Sequence, residues 1–233
     1  MALFVIADTH ISLSTGKSMN VFGGWEDYEK RLEKNWKAVV KETDTVVIPG
    51  DISWCMDMEQ GIEDFRFLDS LPGRKLIMKG NHDYWWSTKK KADAFFAEHG
   101  FTTLNILNNN AYTEGSIAVC GTRGWFFDAE SVADRKVLLR EAGRLRMSIA
   151  EAKKTGLEPV VFLHYPPLTT AQRCEEIYSV LVEEGIRRCY YGHLHSYAHS
   201  TAFNGESDGI EFRLVSADYL GFCPVPVYEN SLI

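Results

Sequence analysis

One arrangement recurs along the chain: a short apolar run that stops at an acid, an amide or a histidine. Residues 2–7 (ALFVIA) stop at Asp8-Thr9-His10, and 45–48 at Pro49-Gly50-Asp51. Residues 76–78 lead to Gly80-Asn81-His82-Asp83, 160–163 to His164, and 189–191 to Gly192-His193-Leu194-His195. Such runs are too short for buried helices and read as strands covered on both faces. Between them lie stretches of helical period. Tyr28, Leu32, Trp36, Val39 and Val40 share one stripe, residues 58–71 carry Ile62, Phe65 and Leu68, and Ser87 is placed to cap a helix running to His99. A longer helix, from about 134 to 154, presents Leu138, Ala142, Leu145, Ile149 and Ala152, and residues 175–184 form another. In strand–helix–strand units the loops at the carboxyl ends of the strands gather on one sheet edge. Residues distant in sequence are therefore expected to meet there.

The second half is richer in strands. Residues 102–107 and 116–120 read as strands around Asn108-Asn109-Asn110, and 197–203 with 210–216 as a hairpin around 204–209. The whole predicts two packed sheets flanked by helices, in a single domain spanning 1–233.

The loop residues are metal-capable as a set. Of the 7 histidines, all but His99 and His199 fall in these loops. Asp8 and His10 are two residues apart, so on an extended strand end they point to the same side, as do His193 and His195 with Leu194 turned into the core. Mixed carboxylate and imidazole donors suit manganese, iron, zinc, nickel or cobalt, and suit calcium poorly. The glycines before Asp51, Asn81 and His193 are expected to allow tight turns. Taken singly, each residue has a plainer reading: Asp8 and Asp51 as helix caps, Asn81 as a turn residue, His164 as a satisfied core histidine. Together these readings require five coincidences in one order.

The net charge is -7, which repels nucleic acid and anionic lipid at long range. It does not exclude a phosphate ester, because bound cations reverse the field inside one cleft. The 5 cysteines are scattered and form no C-x-x-C pair, which suits thiols in a reducing compartment. The N-terminal stretch meets an acid early and lacks the basic and long apolar regions of a signal peptide, and no apolar run is long enough to span a membrane. A cytoplasmic protein is expected. Oligomeric state is not readable.

The motif order D-x-H, G-D, G-N-H-D, H, G-H-x-H resembles that of the calcineurin-like metallophosphoesterase superfamily. The resemblance runs from Asp8 to His195 and implies a four-layer α/β/β/α fold of two mixed sheets sandwiched between helices. It implies two divalent metal ions, the first held by Asp8, His10, Asp51 and His195, the second by Asp51, Asn81, His164 and His193, with Asp51 as the bridge. It also implies a phosphate-ester substrate, attacked by water activated between the metals, with His82 facing the substrate as charge stabiliser or acid. One departure stands out. Serine/threonine phosphatases of the superfamily carry an Asp three residues after the bridging one, which orients the histidine of G-N-H; here that position is Trp54. The partner of His82 is thus open, and that phosphatase branch is disfavoured. Trp54, Tyr84 and Arg123 are substrate-contact candidates; ring packing, for Trp54, and solvated charge, for Arg123, are the plainer alternatives. A non-catalytic scaffold or a nuclease on the same fold are the competing functions. The intact motif set argues against the first, and the lack of a basic stripe against the second.

Overall fold

The computed structural model describes residues 1–125 and 132–227. Two sheets lie face to face. The first has five strands in the order β11-β1-β2-β3-β4: β1 (Leu3–Val5), β2 (Thr45–Ile48), β3 (Arg74–Ile77) and β4 (Leu104–Ile106) are parallel, and β11 (Val225–Pro226) is an antiparallel edge. The second has six, in the order β5-β6-β7-β8-β10-β9. Its centre, β6 (Ile117–Thr122), β7 (Glu158–Leu163), β8 (Arg188–Tyr191) and β10 (Ile210–Leu214), is parallel, with β5 (Tyr112–Glu114) and β9 (Gly205–Ser207) antiparallel at the edges.

The strand periodicity of two sorts side chains between layers. In β1 and its extension, Val5 and Ala7 face the second sheet, while Phe4 and Ile6 face helices. The layer between the sheets is filled by Val47, Leu76, Val119, Val160, Phe162 and Val215 among others. The outer face of the first sheet is covered by α1 (Tyr28–Val39), α2 (Ile62–Ser70) and α3 (Lys89–Glu98), through Leu32, Trp36, Phe65, Leu68, Phe95 and Phe96. The second sheet packs on α4 (Val132–Lys154) and α5 (Glu175–Glu183); the stripe Leu138, Ala142, Leu145, Ile149 and Ala152 is buried as its spacing requires. Two mixed sheets between helical layers are thus observed.

Local differences have local causes. Thr88, not Ser87, caps α3, its side chain accepting from the Lys91 N–H. Residues Ser196–Thr201, expected as a strand, form a 3₁₀ helix. Its polar sequence carries no alternation strong enough to compete with i→i+3 bonding, and the hairpin forms instead from β9 and β10 about Asp208-Gly209. The short edge strands β5 and β11 have too little apolar pattern to be read beforehand.

Candidate metal centre and active site

All five motif loops follow strands of the two parallel cores and open on the same edge. Asp8, Asp51 and Asn81 follow β1, β2 and β3; His164 and the His193–His195 pair follow β7 and β8. The sheets are joined at this edge. Ala7 donates to the Val215 carbonyl at 2.8 Å, and Ala217 returns a bond to the Ala7 carbonyl at 2.9 Å.

Asp8 and His10 do not sit on an extended strand end. Asp8 (φ 60°), His10 (φ 44°), Asp51 (φ 51°) and His193 (φ 73°) all occupy the left-handed region, a conformation that costs a non-glycine residue on the order of 1–3 kcal/mol. Their convergence comes from these bends, which are fixed by loop-to-loop bonds: Asp8 N–H to the Gly50 carbonyl (3.0 Å), His10 N–H to the Asp51 carbonyl (2.9 Å), and the His193 N–H to Asp8 Oδ2 (2.9 Å). The Tyr28 hydroxyl donates to the His10 carbonyl at 2.5 Å, tying the first loop to α1. The glycines also act differently from expectation. Gly50 does use a positive φ of 90°, but Gly80 and Gly192 are needed for space: a Cβ would strike the Asp51 carboxylate at Gly80, and Asp8 with Ala7 at Gly192.

Every proposed ligand position enters one cluster. Asp51 Oδ2 lies 3.6 Å from His10 Nε2 and 3.6 Å from His164 Nε2. Asp8 Oδ1 lies 3.6 Å from His164 Nδ1 and 3.7 Å from His195 Nε2. Asn81 Oδ1 is 2.6 Å from His164 Nε2 and 3.0 Å from His193 Nδ1. His10 and His195 approach to 3.4 Å between their Nε2 atoms. Two groups, Asp8–His10–His195 and Asp8–Asp51–His164, hold their donor atoms within 4.8 Å of one another. Leu194 is buried in the outer core as expected, although the left-handed bend at His193, not strand alternation, turns it there.

The carboxylates and imidazoles of the cluster shift one another strongly. Burial raises the Asp51 carboxyl, and the charge of Asp8 adds to this, taking it to about 8. Burial also works to raise Asp8, but the imidazoles of His195, His164 and His10 outweigh it and hold it well below the usual range. His195 is pushed up to about 10: burial opposes this, but Asp8 and Asp218 overcome it. His193 falls to about 3 through burial and the neighbouring His164, and His10 and His164 are lowered chiefly by burial. Asp8 Oδ1 is buried and has no hydrogen-bond partner among the described residues.

Residues beyond the motif ligands complete the site. Asp218, in the loop after β10, accepts from His195 Nδ1 (2.9 Å) and from the Ser196 N–H (3.0 Å), fixing the ring so that Nε2 faces the cluster. It was missed because 210–216 alternates, with Glu211, Arg213 and Ser216 among its apolar residues, and is not an unbroken apolar run that stops at an acid. Asp83 accepts from the N–H groups of Gly80, Asp51, Ile52 and Ser53 and from Trp85 Nε1. Trp54 does lie at the site: its ring stacks on His10 (centroids 4.7 Å, interplanar angle 18°) and sits 4.6 Å from the His82 ring. Lys17 Nζ covers the ring at 3.2 Å from its centroid. His82 Nδ1 has no hydrogen-bond partner among the described residues, so no carboxylate stands where the phosphatase branch has one. The Tyr84 ring is exposed, 6.3 Å from His82. Arg123 is not in the cluster; its carbonyl accepts from the N–H of Tyr165, whose ring lies against His193. Trp85 is core, packed on Phe65.

The sequence model of the calcineurin-like phosphoesterases matches residues 1–197, a segment that contains all five loops. The chain belongs to this family. Its fold is shared by solved structures at low identity. A protein of unknown function from Aquifex aeolicus aligns with a TM-score of 0.54 and 17% identity over 97% of this phosphoesterase and 95% of that chain. The phosphopantetheinyl hydrolase of Mycobacterium tuberculosis aligns with a TM-score of 0.55 and 14% identity, over 100% and 97%. A Thermus thermophilus protein gives 0.55 and 11%, covering 85% of each chain. No curated protein matches the chain. Among the described residues of the phosphoesterase, no helix is long and apolar enough to cross a membrane.

Proposed function

We propose that this phosphoesterase hydrolyses a phosphate mono- or diester at a dinuclear divalent-metal centre. The observation that carries the reading is the approach of Asp51 Oδ2 to imidazoles from both sheets, 3.6 Å from His10 and 3.6 Å from His164. A carboxylate so placed is positioned to be shared between two ions. The donor set fits such ions: carboxylates, an amide oxygen and imidazoles converge, and the buried Asp8 Oδ1, without a hydrogen-bond partner among the described residues, is free to ligate. Asp8, His10, Asp51 and His195 would hold one ion, and Asp51, Asn81, His164 and His193 the other. Manganese, iron, zinc, nickel and cobalt all suit these donors. Two bound ions supply a water of lowered pKa and charge neutralisation at phosphorus.

The chain's own residues do the rest. Asp218 holds the His195 ring in one orientation. Trp54 walls off the His10 side of the cluster, excluding water from its face. The His82 N–H donates to Asp51 Oδ1 at 2.8 Å, fixing the backbone from which its ring projects. Burial, with the charges of His164 and Lys17, lowers the His82 imidazole, so it meets substrate neutral, as a hydrogen-bond donor to a phosphoryl or leaving-group oxygen. No side chain is required as a nucleophile. Purified protein with manganese should hydrolyse an aryl phosphate ester, and Asp51→Ala should lower kcat at least 10³-fold, an order-of-magnitude expectation for loss of a metal-stabilised transition state. Undiminished turnover in that variant, or none with any divalent metal, sinks the reading.

A further inference from the structure

A second cavity opens on the same sheet edge, beside the metal centre. It has a volume of about 310 Å³ and lies where β3, β4 and β6 end. Lys79, Lys89, Arg123 and Arg144 line it, and each is only half-buried. In a chain of net charge -7, this grouping runs against the overall balance. Among the described residues, one lining carboxylate, Glu141, stands beside them, and it is already engaged. It accepts from the Thr122 hydroxyl at 2.7 Å and from Arg144 at 2.6 Å, and lies 3.8 Å from Arg123. Arg123 Nε is buried with no hydrogen-bond partner among the described residues. Thr88, the cap of α3, also lines the cavity, so the positive end of that helix faces it. Lys89 is paired with Asp93 at 2.6 Å; the remaining grouped cations raise each other's energy, and a bound dianion relieves that repulsion.

The cavity is coupled to the metal centre by two short paths, one along the chain and one through a backbone hydrogen bond. Lys79 immediately precedes Gly80-Asn81, and the Arg123 carbonyl holds the N–H of Tyr165, next to His164. We propose that this cavity is a subsite for a second phosphate group, so that the substrate is a small phosphoester carrying two phosphates: one at the metal centre and one held by Lys79, Arg123 and Arg144. This rests on the reading of the metal centre given above.

Two measurements separate the two claims. In chelator-treated protein, calorimetric titration with inorganic phosphate should show binding that is at least ten-fold weaker in Lys79→Gln/Arg123→Gln and several-fold weaker in Arg144→Gln, a partly exposed position, with melting temperatures showing both variants folded. Absence of binding, or equal binding in wild type and variants, overturns the subsite. With manganese added, adenosine 3′,5′-bisphosphate should have a lower KM than adenosine 5′-monophosphate. Lys79→Gln/Arg123→Gln should lose at least ten-fold more kcat/KM on the bisphosphate than on the monophosphate, and Arg144→Gln several-fold more. Equal losses on both overturn the subsite while leaving the hydrolase intact. Failure to hydrolyse either substrate with any divalent metal counts against the hydrolase, and the metal-free titration still decides the subsite.

Discussion

The Asp83 side chain is buried and accepts hydrogen bonds from the Asp51, Ile52, Ser53 and Gly80 N–H groups and from Trp85 Nε1. It is the joint between the loops that deliver Asp51 and Asn81. An amide in its place would turn an NH₂ toward backbone donors. Asp83→Asn should therefore lower stability by about 3 kcal/mol, seen as a drop in melting temperature, and should weaken manganese binding without removing a ligand. Asp218 acts at one remove from the same cluster. Asp218→Asn should leave the fold intact and reduce metal affinity or kcat/KM by about 10–100-fold, and equilibrium dialysis distinguishes this from simple unfolding. Both residues show the limit of residue-level reading. The ligand positions are visible because a strand end followed by Asp or His is a one-dimensional pattern. Asp83 was in view within its motif, but its role depends on five donors from loops that only folding brings together. The absent partner of His82 was visible as Trp54; that its ring would stack on His10 was not, because it depends on the bend at the first loop.

At the scale of elements, Lys75 is the strongest test of packing. It lies on β3, fully buried among apolar neighbours, and its ammonium donates to the carbonyls of Leu71, Gly73 (2.8 Å) and Asp69 (3.3 Å). These carbonyls lie at and just past the end of α2, where the helix leaves them without intrahelical partners and where a cation is favoured by the dipole. Lys75→Met keeps the volume and orphans the acceptors, so a loss of roughly 2–4 kcal/mol is expected, measured as a lowered denaturant midpoint with an unchanged m-value. Gly192→Ala tests the approach of β8's loop to Asp8; the added methyl should cost about 1–3 kcal/mol and abolish tight metal binding, because Asp8 has nowhere to retreat. Helices and central strands were readable because burial imposes their period. The 3₁₀ turn Ser196–Thr201 and the two-residue β11 were not, since tertiary context, not pattern, decides such short polar pieces.

For the whole molecule, charge at the centre couples stability to pH. The unfolded reference values lie near 3.9 for Asp and 6.5 for His. Asp51 is raised to about 8, Asp83 to about 7 and His195 to about 10, so above pH 6.5 the native chain holds protons that the unfolded chain has lost. Stability then falls as pH rises. The lowered histidines, His10, His82, His164 and His193, act with the opposite sign, but above pH 6.5, where the unfolded imidazoles are already half deprotonated, each adds at most about 0.4 kcal/mol more. Chelated protein should therefore melt at a lower temperature at pH 8 than at pH 6.5. Manganese at about 100 times its Kd should add about 2.7 kcal/mol and reverse that trend, because cations replace protons on Asp51. A chelated protein that melts higher at pH 8 would contradict the assigned origin of these shifts.

Asp8, Asp51 and Asn81 are carried by one sheet, and His164, His193 and His195 by the other. The ions would thus act as rivets between two plates that are also fastened at that edge by the splice of Ala7 with Val215 and Ala217 and by bonds from His193 to Asp8 and from His164 to the Pro49 carbonyl. Sliding of one plate against the other by a fraction of an ångström would alter the separation of the ions directly. The apolar filling between the plates, Val160 and Phe162 included, is thereby a gauge block for the chemistry, setting the gap across which a phosphate is gripped.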